Sequence, residues 1–159
     1  MGLDATVYCD CFEKAELLKE PDPSWGVQVI YSGSRNTSAT DLDEQIDFDL
    51  WNMKFACKHE SGVLLHHWIG NITLVGYFRN RLNESPDLFP ILLEKVLYSG
   101  THCGDILTVE EIIKMQPELV ALSKINSSDP QDEEFLREFE QKMKDLSECA
   151  LRVKKPITF

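Results

Sequence analysis

No stretch of this sequence is long and apolar enough to cross a bilayer as a helix. Its first residues, Met-Gly-Leu-Asp-Ala-Thr, carry neither the basic n-region nor the apolar h-region of a secretory signal. The chain is therefore expected to be cytoplasmic, with no membrane role. Basic charge is scarce too. Sixteen Lys and Arg stand against 27 Asp and Glu, a formal charge of −11. A field of that sign repels nucleic-acid phosphates and anionic lipid, so no nucleic-acid partner is expected. A basic protein is the partner that suits it.

Signatures of cofactors and active sites are missing as well. There is no C-x-x-C, no H-E-x-x-H, no G-x-S-x-G, and no Gly-rich phosphate loop. No cofactor is expected. The five cysteines, an odd number without an export signal, read as free thiols and not as a disulfide framework.

What remains is one globular domain over residues 1–159. Residues 3–11 alternate as a strand, with Leu3, Ala5, Val7, Cys9 and Cys11 on one face. A second extended run covers Trp25 to Tyr31. Residues 32–41 are polar, without an apolar anchor, and read as a mobile loop. Phe48, Trp51 and Phe55 give residues 43–57 a helical period, and Val63 to Ile69 reads as a buried strand. Ile72, Val75, Phe78 and Leu82 resume a helical stripe. Leu88 to Leu97 is a strongly apolar helix, with Asp87 as its N-cap. Thr108 and Glu111 form a capping box opening a helix to Met115, and Pro117 restarts another to Lys124. Asp129-Pro130 starts the clearest helix, striped by Phe135, Phe139, Met143, Leu146 and Ala150. The tail after Val153 is extended. Strands early and helices late predict an α+β fold: a small sheet from the N-terminal half packed against several helices, the longest near the C-terminus.

Three groups of residues are candidates for chemistry or binding. Cys9, Cys11, Cys57 and His59 are good metal ligands. Their spacing matches no zinc finger or ribbon, however, and Cys9 and Cys11 lie on the apolar face of a strand, which favours core packing and no metal. His102, Cys103 and Asp105 lie on a Gly-flanked turn as base, nucleophile and carboxylate, with His66 or His67 as a second proton carrier. On a strand His66 and His67 project to opposite faces. This group defines the alternative of a small hydrolase or metal-dependent enzyme. The third group is Asp43, Glu44 and Asp47, an acidic helix region able to meet a basic partner. Trp51 and Trp68 read as core.

The run Phe135-Leu-Arg-Glu-Phe-Glu, the closing Lys155-Pro156-Ile157-Thr158-Phe159 and the opening Met-Gly-Leu-Asp resemble the ends of small uncharacterised bacterial proteins, some of them immunity-type proteins that neutralise toxins. The resemblance implies a bacterial cytoplasmic binding protein and carries over no functional residue. With the acidity, it makes a non-enzymatic module that binds a basic protein the leading expectation.

Overall fold

The structure, a computed structural model, describes residues 2–100 and 102–159. In chain order the elements are β1 (Gly2–Tyr8), β2 (Gln28–Val29), β3 (Arg35–Asn36), α1 (Leu42–Lys54), β4 (Val63–Asn71), α2 (Ile72–Leu82), β5 (Ile106–Leu107), α3 (Val109–Leu122), α4 (Pro130–Val153) and β6 (Ile157–Thr158). The fold is α+β, with a small antiparallel sheet and its longest helix near the C-terminus. The sheet order is β4-β1-β6-β5. β1 therefore lies inside the sheet, and its alternation does what the pattern predicts: Leu3, Ala5 and Val7 are fully buried.

α2 and α4 lie against β1 and β4, and α3 packs on α4. One main core results. It joins the inward residues of β1 to Val75, Phe78 and Leu82 of α2, Ile112, Met115 and Leu119 of α3, and Leu136, Phe139 and Met143 of α4. Phe78 and Phe139 stack at its centre, ring centroids 4.5 Å apart.

Local signals set most helix ends. Asp129 accepts from the amides of Gln131 and Asp132, with Pro130 at the first position of α4. The Thr108–Glu111 capping box is formed at α3. The expected break at Pro117 does not occur. α3 runs through it, because the carbonyl that Pro117 leaves without a helical donor belongs to Ile113, on the exposed face where water reaches it.

Residues 88–97 differ from the expected regular helix. Pro86–Leu88 forms a short 3-10 turn and Leu92–Val96 a π-helical turn, and Asp87 does not cap them. The capping group comes from α3: the buried Glu118 carboxylate accepts from the amides of Ile91 and Leu92, each at 2.9 Å. Phe89, Leu92, Val96 and Leu97 are all fully buried, so packing overrides local helix preference. Glu118→Ala leaves two amides without partners, that of Leu92 buried and that of Ile91 partly so. It is expected to cost about 1–3 kcal/mol in chemical denaturation, and a smaller loss would mean that water replaces the carboxylate. Burial also raises the Glu118 carboxyl above its ordinary pKa, against the opposing pull of the two amides. The folded state then binds this proton more readily than the unfolded one, and stability falls as pH rises from the ordinary glutamate range through the raised value.

Between β1 and β4 the chain makes an excursion with a small core of its own. Phe48, Trp51 and Ala56 are buried there, with Trp25, Phe12, Leu17 and Val27 packed on them. The strand expected over 25–31 shrinks to β2, because Asp22 and Pro23 commit Trp25 to a 3-10 turn. Within 32–41 the chain forms β3, antiparallel to β2, and both Ser32 and Arg35 are buried. Trp51 is core as expected. Trp68 is not: it is 49% exposed, because β4 is an edge strand with no further strand to cover it.

Candidate metal centre

The excursion leaves the sheet at Cys9 and returns through Gly62, and the Cys9 amide donates to the Gly62 carbonyl at 2.8 Å. Two ligand pairs meet at this neck. The strand expected over residues 3–11 ends at Tyr8, so Cys9 and Cys11 lie just beyond β1. Cys57 and His59 follow α1, whose helical conformation stops at Phe55. Burial of Trp51 and Ala56 draws the end of α1 to the neck, and the pairs converge across 48 residues.

Cys9 Sγ lies 3.8 Å from Cys57 Sγ. His59 Nδ1 lies 3.4 Å from Cys11 Sγ and 3.9 Å from Cys57 Sγ. All four ligand atoms fall within 4.8 Å of one another. Ligands at about 2.3 Å (sulfur) and about 2.0 Å (nitrogen) around a tetrahedral zinc are separated by about 3.8 Å for S–S and about 3.5 Å for S–N. The Cys9–Cys57 and Cys11–His59 separations match these values, and His59 sits slightly farther from Cys57. The three cysteines are buried and His59 is half-buried, in a cluster distinct from the main core and touched by Leu64.

Arg35 supports the cluster from β3. Both terminal guanidinium nitrogens donate to Cys57 Sγ at 3.6 Å, and the guanidinium lies 5.5 Å over the Trp51 ring. Gly62 makes room for it. Its φ of +72° lies in the left-handed region, and a Cβ there would sit 2.5 Å from Arg35 Nη2.

The neighbours set each thiol differently. Burial raises Cys9 above its ordinary value, and Cys11 is pushed up to about 12 by burial and by the Cys9 and Cys57 sulfurs beside it. Burial acts on Cys57 as well, but the His59 amide, Arg35 and Cys9 together draw it below its ordinary value. Burial, with Lys58 and Arg35, holds the His59 imidazole below its ordinary value and hence neutral, the form that ligates metal. A divalent cation held by these residues would neutralise two of the three thiolates, and Arg35 would face the charge left over.

The other candidate residues do not converge. His66 and His67 point opposite ways, as expected of a strand. His66 bridges Thr6 Oγ1 at 3.0 Å and Asp4 at 3.4 Å, while His67 faces Asp145 of α4 at 3.6 Å. His102 belongs to the other edge of the sheet. Its Nε2 lies 2.9 Å from the Val96 carbonyl and its Nδ1 3.3 Å from the Asp105 carboxylate, which also accepts from Tyr98. Its side chain is 4% exposed, stacked on Tyr98 and flanked by the tilted ring of Phe159. Cys103 is exposed, and among the described residues no hydrogen bond joins its thiol to His102. Thr101, in the same turn, lies outside the described residues. The step from His66 through Thr6 and Thr158 to Ile106 crosses three strand pairings, about 14 Å, which separates the two histidine groups. Asp43 and Asp47 are exposed on α1 and Glu44 is half-buried there.

Neither a protein family, nor a curated protein, nor a solved structure matches the chain.

Proposed function

We propose that the protein is a non-enzymatic binding module whose excursion over residues 9–62 is clipped by a structural zinc ion on Cys9, Cys11, Cys57 and His59. The observation that carries this reading is the convergence of four ligand atoms within 4.8 Å. A Cys₃His set completes a tetrahedron and leaves no position for water or substrate, which is the pattern of structural and not catalytic zinc. It replaces the expectation, drawn from the strand pattern alone, that the cysteines serve only as core. The binding role rests on the charge of −11 and on the exposed carboxylates of α1. Neutralising a basic partner in the manner of immunity-type proteins is its more specific form, carried by the resemblance of the chain ends.

Metal content tests the reading. Protein purified under reducing conditions without chelator is expected to carry about one zinc per chain, and Cys57→Ser to carry far less. Cobalt exchanged into the site should show the strong visible bands of a tetrahedral ion and a near-ultraviolet thiolate charge-transfer band. Zinc well below stoichiometry, with all five thiols titrating freely, overturns the proposal.

A further inference from the structure

α1 has more apolar surface than its own packing uses. Phe48 and Trp51 fill the excursion's core, and an ordinary surface helix is polar on the opposite side. Here the opposite side carries Leu42, Ile46 and Leu50, each one turn on from the last, and they are 68%, 55% and 42% exposed. Met53 continues the row, half-exposed. Spacing by four residues makes a ridge about 12 Å long, of the kind that interdigitates with the surface of another helix.

Carboxylates border this ridge. On the helical wheel Asp43 and Asp47 fall on one flank and Asp49 on the other. Beside it opens a cleft walled by Trp25, Trp51 and Phe55 with Asp47 at its side. The Lys19 ammonium lies 5.8 Å over the Phe55 ring, so this aromatic wall already accepts a cation.

We propose that the solvent face of α1 is a docking surface for a basic amphipathic helix of another protein. The partner's apolar stripe packs on Leu42, Ile46 and Leu50, and its Lys or Arg flanks meet Asp43, Asp47 and Asp49. The inference rests on the binding-module reading and gives that module its surface and partner class. Charge selects the occupant. A second copy of α1 brings aspartates against aspartates, and anionic lipid meets the same repulsion. A helix with cationic flanks turns each of these contacts attractive, the acids speeding capture and the ridge supplying the buried area. The neck clip contributes by rigidity: Cys57 and His59 follow α1 directly, and Arg35 ties Cys57 to Trp51, so the ridge is presented already ordered.

The probe is a synthetic Leu–Lys amphipathic helix of about five turns, with a scrambled peptide of the same composition as control. Each is titrated into the zinc-loaded protein by calorimetry and followed by amide chemical shifts. The amphipathic peptide is expected to bind at least about tenfold tighter than the scrambled one, with shifts centred on residues 42–53. Ile46→Ser with Leu50→Ser should weaken it by about tenfold or more. Asp43→Lys with Asp47→Lys should slow association and remove most of its salt dependence. These positions are exposed, so circular dichroism should not change. If neither peptide binds, the docking proposal falls, while the zinc-clip reading is decided separately by the metal content. If the amphipathic peptide binds the α1 variants as well as the parent protein, only the surface assignment is wrong. Equal binding of both peptides means general attraction to an acidic chain and overturns the proposal. A dimer that Ile46→Ser disperses gives the face to a second copy and overturns it too.

Discussion

Removing the proposed zinc, by chelator or by Cys57→Ser, is expected to release the excursion over residues 9–62 while the main core stays folded. The excursion has its own small core around Phe48, Trp51 and Ala56, and among the described residues Leu64 is the apolar side chain that packs on both the ligand cluster and the main core. α1 packs chiefly on the turns at Pro23–Trp25 and Glu60–Gly62, not on the large helices. The excursion buries few side chains beyond that core, and its ties to the tail are polar: Lys155 pairs with Glu13, and Thr158 Oγ1 donates to the Ser32 carbonyl at 2.9 Å. The ligand cluster closes the neck of that long loop. Structural zinc in small domains binds with apparent free energies of about 10–16 kcal/mol, enough to decide whether such a segment is ordered. Trp25 and Trp51 lie inside the excursion, so fluorescence should shift to the red and amide exchange in α1 should accelerate, with α4 protected as before. If α1 and α4 lose protection together, the chain is one cooperative unit. If neither changes, the cluster does not hold the fold.

The opposite behaviour is expected of Phe139→Ala. Phe139 is buried at the middle of α4 and stacked on Phe78 of α2. Truncation removes the ring and leaves a cavity between two helices and the sheet, at a cost of about 3–5 kcal/mol in denaturant titration. The proposed zinc should stay bound, because the ligand cluster is a separate set of contacts. A loss below about 1 kcal/mol would place the α4 stripe outside the core. The two variants together separate the core that makes the fold from the clip that holds the excursion.

The sequence announces what local chemistry decides. Leu3, Ala5 and Val7 alternate because one face of β1 is covered; Thr108 with Glu111 and Asp129 with Pro130 mark helix starts through bonds within three residues. The misreadings lie where a distant residue decides. Glu118 caps residues 91–92 from another helix, which nothing near Leu88 signals. Trp68 looks like core until the strand order makes β4 an edge. The ligand cluster was half legible. Cys9, Cys11, Cys57 and His59 were visible as good ligands, but their C-x-C and C-x-H spacings differ from the C-x₂₋₄-C of common zinc folds. Only the fold of the excursion shows that the two pairs meet. Arg35 had no local signal at all, as one basic residue in a polar stretch.

The position of β6 has a consequence for synthesis. Thr158 pairs with Thr6 on one side and with Ile106 on the other, so residues 157–158 form an interior strand. On the ribosome, β1 and β4 can pair once residue 71 has emerged, and α2 can cover them. The second edge of β1 then stays unsatisfied while nearly 90 further residues are made, several seconds at typical elongation rates. During that interval the nascent chain exposes a strand edge of the kind that seeds intermolecular pairing. The four residues proposed to hold zinc all precede residue 60, whereas Glu13 and Ser32 meet Lys155 and Thr158 only once the tail is made. Capture of the proposed metal would therefore belong to an earlier stage of biogenesis than completion of the sheet.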